Sequence, residues 1–426
     1  MQPSLREWLP EGHLAYFIND VVEELDLRAF YQAYEGDGRR KAPFEPRMML
    51  KVLLYGYATG VFSSRKLARK LEEDVAFRVL GADNFPQHRT ICDFRQRHLA
   101  DFKAVFVQVL GIARQAGLIR LGTVSVDGTK VRANASKHKA MSYPRLQAEE
   151  RRLAEEVEGM CAVAATTDRD EDGLYGVDRR GDELPEELQH RQARLATIRA
   201  AKARLEQAQR EADTARGRHA DDERKPPGRG RPYKRDFGVP EDKAQTNFTD
   251  PESRIMKTAE GFQQCYNGQL AVDGEFQLIV ENSLSANAND QGPLLRLLDR
   301  IEQTLEARPE RLLADAGYRD EAALAALESQ RIDAYISLGK EGKVLSTVDP
   351  GRYPATARMA EKLTEPEAKE RYAQRKHLSE AVNGWIKRVL GFRQFSLRGL
   401  TKASGEWDLV CVATNLRRMR PLVVFD

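Results

Sequence analysis

Between Leu121 and Ala135 the chain reads LGTVSVDGTKVRANA, and the fold turns on this stretch. Val124, Val126 and Val131 are β-branched apolar residues among polar neighbours, a pattern that reads as a strand rather than a helix. Asp127 is the lone carboxylate of the stretch and is followed directly by Gly128. Its apolar surroundings put it in a central strand, where an ionised group needs a partner because leaving water unpaired is costly. A new domain therefore starts near Gly122.

Upstream, from Leu14 to about Gly117, apolar residues recur at helical spacing: Phe17, Val21, Val22 and Leu25, then Met49, Val52, Leu53 and Tyr57. Breakers at Gly36 to Gly38, Pro43, Pro46, Gly60, Gly81 and Pro86 divide the segment into several short helices. Ser63 and Ser64 are placed to cap a helix beginning at Arg65. Residues 1–118 are thus expected to form an all-helical domain.

Downstream, Tyr143 to Ala215 is charged and rich in Ala, Leu, Glu and Arg, with Leu146, Leu153 and Met160 at seven-residue steps. Leu188 to Leu195 and Ile198 to Leu205 repeat that interval, which predicts an antiparallel helical hairpin over residues 143–223. A basic linker follows at residues 224–243. Its Arg224–Arg235 segment, RKPPGRGRPYKR, has no acidic side chain. Strand patterning resumes at Cys265–Val272, Phe276–Val280, Arg311–Ala314 and Ala334–Ser337, with helices expected at Gln291–Leu305 and Glu321–Ser329. Strands that begin as hairpins and later alternate with helices imply a mixed α/β sheet. Residues 119–142 and 244–426 are assigned to that one sheet domain, interrupted by the helical insertion.

Composition narrows the function. The 68 Lys and Arg barely exceed the 65 Asp and Glu, so the total charge of +3 names no partner. The clustering at 224–235 does point to phosphate attraction. Cys92, Cys161, Cys265 and Cys411 form no CxxC pair, which disfavours a zinc knuckle or a disulfide framework and suits a reducing, cytoplasmic compartment. The N-terminus lacks the basic-then-apolar order of a signal peptide, and no stretch approaches the length of a membrane span, so no membrane role is expected. There is no GxxxxGK[ST] sequence for nucleotide-driven work and no HxH or HExxH spacing for a histidine metal centre.

Two further acids stand out with Asp127. Asp315 ends the apolar run Leu312, Leu313, Ala314 and precedes Ala316-Gly317-Tyr318, where a strand opens into a loop, a frequent place for active-site carboxylates. Glu380 lies in Arg371–Leu390, which has no proline and reads as a single helix. At about 100° per residue its face also carries Lys376, Asn383, Gly384 and Lys387, a stripe suited to meeting a phosphodiester. Three such carboxylates could hold two Mg²⁺ ions. Asp290, and behind it Asp273, are the alternatives should the strand placement differ.

The segments TVSVDGTKVRANAS, LLADAGYRD and YAQRKHLSEAVNGWIK resemble the three acidic motifs of the bacterial DDE insertion-sequence transposases. The last is similar to their Tyr, Arg/Lys, Glu, Lys signature. NFTDPESRIMKT (Asn247–Thr258), YNGQLAVD, FSLRG and TNLRRM add to the likeness. The resemblance implies an RNase H-like catalytic domain with Asp127, Asp315 and Glu380 as ligands of Mg²⁺ or Mn²⁺. It implies that Tyr372, Arg375 or Lys376, and Lys387 contact DNA phosphates. Of the two basic residues, Lys376 fits the helical face better. It further implies water cutting one strand and the freed 3′-hydroxyl attacking target DNA, on double-stranded element ends bound by a homodimer in the nucleoid; the alternatives are a catalytically silent DNA-binding protein derived from a transposase and an RNase H-like metal nuclease without strand transfer. The family often carries its insertion late, before the glutamate, whereas here the long insertion follows Asp127.

Two lesser signals concern the same partner. Gln87–His98, QHRTICDFRQRH, presents Arg89 and Arg95 as candidate recognition-helix residues, with an ordinary amphipathic helix as the alternative. Arg229-Gly230-Arg231-Pro232 resembles the core of an AT-hook, whose arginines lie along a narrow minor groove, against the plainer reading of a basic linker.

Overall fold

The structure, a computed structural model, describes residues 5–35, 43–175, 186–222, 233–287, 294–339 and 348–423. Arg229, Arg231 and Asp290 lie outside the described residues, as do the glycines at 36–38. The chain forms two compact units, residues 1–134 with 255–426, and residues 135–254.

The first unit opens with helices α1 (Leu14–Glu24), α2 (Arg28–Gln32), α3 (Pro46–Ala58), α4 (Ser64–Glu73), α5 (Val75–Gly81), α6 (His88–Arg97) and α7 (Asp101–Gln115). Phe17, Val21, Val22 and Leu25 are buried, as their spacing predicts. Asp74 starts α5, its carboxylate accepting from the Ala76 N–H at 3.1 Å, which satisfies one of the donors a helix start leaves open. Ser63 does stand at the N-cap of α4, but its hydroxyl makes no capping bond. The helix start there is fixed by burial of Leu67 and Leu71 instead.

After β1 (Thr123–Arg132) the second unit contributes β2 (Ala140–Ser142), α8 (Tyr143–Tyr175), α9 (Glu186–Ala215) and β3 (Gln245–Asn247), β2 pairing antiparallel with β3. The two long helices run antiparallel. Leu146, Leu153, Leu195, Ile198 and Ala201 form their dry seam. Glu149 pairs with Arg194 at 3.0 Å and Glu150 with Lys202 at 2.9 Å along its flanks. The seven-residue leucine steps are that seam.

The first unit resumes with β4 (Arg254–Thr258), β5 (Gly261–Asp273), β6 (Ile279–Ser285), α10 (Leu294–Leu305), β7 (Arg311–Ala314), α11 (Glu321–Ser329), β8 (Asp333–Ile336), α12 (Pro354–Lys362), α13 (Pro366–Ala373), α14 (Ser379–Arg388) and α15 (Leu400–Met419). The sheet runs β4-β5-β1-β7-β8, with β6 also on β5. β5 is antiparallel to β1 and to β6, whereas β7 and β8 run parallel to β1. The mixed sheet is thus a pair of hairpin arms followed by two crossovers through α10 and α11, and β1 lies at its centre.

Helix α15 is buried along nearly its whole length, packing on β6, α3 and α7, so the helical segment and the sheet share one core. Its polar residues are matched. Asn415 bridges the backbone of Ile279, accepting from its N–H and donating to its carbonyl, both at 2.8 Å. Glu406, fully buried, accepts from Tyr57 Oη at 3.1 Å and from the Ser396 N–H at 2.9 Å. Gly268 of β5 lies under Trp407; a Cβ there would stand 2.8 Å from Cζ2 of the indole, closer than side chains tolerate.

This packing corrects one expectation. Arg95 is not on a DNA-facing surface: it is 4% exposed, donates to Tyr57 Oη at 2.9 Å and to the Phe62 carbonyl at 3.0 Å, and faces Glu406 at 3.9 Å. It fell on the inner face of α6 beside Ile91 and Phe94, where it serves as the buried counter-charge of α15. Arg89, on the outer face, is exposed.

Candidate active site

Asp127 sits in the middle of β1, opposite Leu270 of β5, with its side chain 13% exposed. On the other flank, β7 runs parallel in the register Val126 to Ala314, so Asp315 is the residue that follows the last paired position, beside Asp127. There β7 turns into a 3₁₀ turn at Ala316–Tyr318, and the Asp315 carboxylate starts it by accepting from the Gly317 N–H at 2.9 Å. Two of the acids are thus brought together by strand register alone.

The third arrives on α14. The segment Arg371–Leu390 is not one helix: α13 stops at Ala373, a 3₁₀ turn takes Gln374–His377, and Leu378 breaks the path at φ −101° and ψ −96° before α14 begins. The break has a cause in packing. Leu378 drops into a buried cluster with Leu313, Tyr335 and Ala368, and the next residue, Ser379, meets Ser125 of β1 Oγ to Oγ at 2.7 Å, both fully buried. Glu380 follows in the first turn of α14, held against the sheet by that bond.

The break also settles which basic side chain faces the acids. Arg375, not Lys376, lies within reach: its Nη1 stands 3.5 Å from Asp127 Oδ1 and its Nη2 2.6 Å from Glu380 Oε1. Lys376 is on the exposed side of the 3₁₀ turn, because a three-residue turn places successive side chains differently from the α-helix assumed from the sequence. Tyr372 is half-buried against Leu313 and Leu378, and its ring lies 5.7 Å from the Arg375 guanidinium, bracing it.

One turn along α14, Asn383 donates from Nδ2 to Asp127 Oδ2 at 3.0 Å. Its Oδ1 is buried without a hydrogen-bond partner, as is Arg375 Nε. Lys387 follows another turn on, half-buried. The stripe Glu380, Asn383, Lys387 expected on one helical face is therefore the face turned to β1.

The electrostatics follow from this crowding. Burial pushes the Asp127 carboxyl up to about 6, against the pull of Arg375 and the Asn383 hydrogen bond, with Asp315 and Glu380 adding to the rise. Burial works against the charge of Arg375, but Tyr372, Asp127, Glu380 and Asp315 outweigh it and keep it protonated more firmly than usual. Burial lowers the Lys387 ammonium, a drop only partly offset by Cys265 and Asp127.

Carboxylate oxygens are the donors a hard divalent ion takes. As arranged, however, they do not make a metal site: among the described residues no group of three acidic, His or Cys side chains is placed to hold an ion. Arg375 stands where two of the carboxylates converge.

Of the alternatives, Asp273 is buried and its oxygens are taken by backbone, Oδ1 by the Leu121 N–H at 2.9 Å and Oδ2 by the Glu275 N–H at 3.1 Å. It shapes the β5–β6 turn. His377 lines, with Arg120, Thr123, Asp273, Glu310 and Arg311, a cavity of about 490 Å³ at the start of β1, which none of the three acids borders. His138 is exposed in the second unit. No described helix is long and apolar enough to cross a membrane.

Fold and site together define an α/β protein whose central strand carries an acidic cluster, crossed by one arginine and edged by a half-buried lysine. Two family models match the chain: Transposase domain (DUF772) over residues 3–97, and Transposase DDE domain over residues 235–416. The chain belongs to the insertion-sequence transposases of the DDE type. A search of curated proteins and one of solved structures found no match. The second model takes in Asp315 and Glu380, whereas Asp127 lies between the two matched segments and rests on its position in the sheet.

Proposed function

We propose that this protein is an active DNA transposase that binds the ends of its element and carries out metal-dependent strand cleavage and strand transfer by in-line attack on phosphodiesters. The observation that carries the reading is the convergence on Asp127: one carboxylate on the central strand, a second beside it by parallel register, and a third on the helix bonded to that strand. The hairpin arms of β5 and β6 and the two parallel crossovers flanking β1 support an RNase H-like catalytic domain.

In this reading Asp127, Asp315 and Glu380 are the catalytic acids, and Mg²⁺ or Mn²⁺ is the cofactor. Arg375 on the turn and Lys387 on α14 border them, Tyr372 stands behind Arg375 on α13, and Lys376 lies on the outer side of the turn; these four are assigned to gripping non-bridging phosphate oxygens. The Lys387 ammonium, already drawn from water, gains more from a phosphate than an exposed lysine does. In cleavage a water oxygen bonds to phosphorus as the P–O3′ bond breaks. In transfer the freed 3′-hydroxyl makes the corresponding attack on target DNA. Arg89 on the outer face of α6, together with Arg229 and Arg231 of the linker, is assigned to duplex binding, and pairing of two ends calls for a homodimer on DNA.

The test uses the full chain with duplexes carrying the ends of its own element, in Mg²⁺. Asp127→Asn, Asp315→Asn and Glu380→Gln should each lower cleavage by about 10⁴-fold, the scale for losing one member of a catalytic unit, while gel-shift binding stays within a few-fold. Cleavage retained by Asp127→Asn, or wild-type protein that binds ends and never cuts them, overturns the reading.

A further inference from the structure

Arg375, assigned above to DNA phosphate, stands between two of the carboxylates when no DNA is present. We propose that Arg375 is an internal counter-ion occupying the place of a divalent cation in the DNA-free protein, so that metal and arginine compete for Asp127 and Glu380 and DNA phosphate decides between them. This rests on the transposase reading given above and adds to it an order of events.

Geometry supplies the first argument. The guanidinium spans two carboxylates that approach from different elements, β1 and α14, and its side chain is 12% exposed. A divalent ion bridging Asp127 and Glu380 would need the oxygens that now face Nη1 and Nη2. The two cations would repel one another at such close quarters, so each weakens the other's hold on those oxygens.

Arg375 and its neighbour Asn383 also leave hydrogen-bonding atoms unsatisfied. Arg375 Nε is buried without a partner, and so is Asn383 Oδ1, the acceptor one turn from Glu380. A guanidinium in its permanent seat uses most of its donors, and a buried amide oxygen does not stay unpaired in a finished site. The pocket is therefore charge-compensated but not hydrogen-bond-complete, which is the state of a position awaiting another occupant. Asn383 Oδ1 is the neutral oxygen that occupant would find.

The place where Arg375 is mounted is the third argument. Arg375 is carried on the 3₁₀ turn Gln374–His377, between the end of α13 and the non-helical Leu378. Its side chain can swing outward without unwinding either helix. The planar fork suits a phosphate better than it suits two separated carboxylates, since both N–H pairs can then bond one group.

Competition has a necessary corollary. If DNA draws Arg375 away and so raises metal affinity by some factor, bound metal raises DNA affinity by the same factor. The cutting site is then assembled on DNA and remains closed elsewhere.

The experiment measures Mn²⁺ binding, not turnover, on the metal-free full chain at pH 7.5 by the loss of the free-ion electron paramagnetic resonance signal. Arg375→Gln should bind Mn²⁺ at least about 10-fold more tightly than wild type, and Arg375→Lys, which keeps the charge, should stay near wild type. Adding Asp127→Asn to Arg375→Gln should remove the gain. On wild-type protein, an end duplex should tighten Mn²⁺ binding after correction for ions held by the duplex alone, and Arg375→Gln should show much less of this effect. If Asp127→Asn weakens Mn²⁺ binding in both backgrounds but Arg375→Gln binds no tighter than wild type, the competition is refuted and the metal site stands. If Asp127→Asn changes nothing in either background, the metal reading itself fails. Should Arg375→Gln not fold, the duplex arm on wild-type protein decides: no tightening refutes the proposal.

Discussion

Replacing Asp127 by Asn should make the metal-free, DNA-free protein more stable, and only above a definite pH. The folded chain raises this carboxyl from 3.8 to about 6, with burial as the main cause and the neighbouring acids adding to it. A group that holds its proton more tightly when folded contributes stability that is full below its unfolded value and is lost as pH rises through its folded value. The window is therefore roughly pH 4 to 6. A rise of roughly two units, at about 1.4 kcal/mol each, means that ionised Asp127 costs the fold about 3 kcal/mol at pH 8. Asparagine has nearly the same shape, carries no charge, and can still accept from Asn383 Nδ2. Its own amide then meets Arg375 donor to donor, which returns part of the gain. The expected net is about 1–2 kcal/mol of added stability at pH 8 and none at pH 4. Urea unfolding in EDTA at the two pH values reads this as a shift of midpoint at constant slope. An asparagine variant less stable than wild type at pH 8, or an equal gain at pH 4, refutes the reasoning.

Two further substitutions test how the site is held. Glu406→Ala leaves Arg95 buried without its counter-charge and should cost about 3–5 kcal/mol by urea unfolding; a loss below about 1 kcal/mol would show that this network does not join the helical segment to α15. Ser379→Ala leaves the Ser125 hydroxyl buried and unpaired, at about 1–3 kcal/mol, whereas the double change with Ser125→Ala should cost no more than the single one, because neither polar group is then stranded. Additive losses in that cycle would refute the direct bond.

What could be read from the sequence was what repeats locally. The β-branched apolar residues of Leu121–Ala135, the break after Ala314 and the seven-residue leucine steps are each signals local to their own element, and β1, β7 and the helices α8 and α9 lie where those signals place them. α11 matches Glu321–Ser329 residue for residue. What was not legible depended on contacts distant in sequence. Arg95 and Lys376 were assigned outward or inward by helical angle. Arg95 was turned inward by Glu406, more than three hundred residues away, and Lys376 was displaced by a break at Leu378 that only the Leu313–Tyr335 cluster explains. Asn383 was visible on the stripe with Glu380, but its bond to Asp127 could not be inferred before β1 was known to face α14. Ser125 and Ser379 gave no signal at all.

The site's electrostatics and its energetics have one origin. Three carboxylates drawn together by register and by helix docking repel one another, and burial of Asp127 weakens the screening that would make this tolerable there. Such a cluster persists only if something neutralises it, and the chain has three means available: a proton on Asp127, the guanidinium of Arg375, or an ion from solution. The first two neutralise the cluster at rest and weaken its hold on an ion. A phosphate backbone changes the balance because it competes for the arginine and repels the acids further, making added positive charge more valuable at the moment a scissile bond is present. A cluster built to be stable by itself, with asparagine at 127, would lose that dependence. The instability of Asp127 is therefore what makes the pocket responsive to DNA.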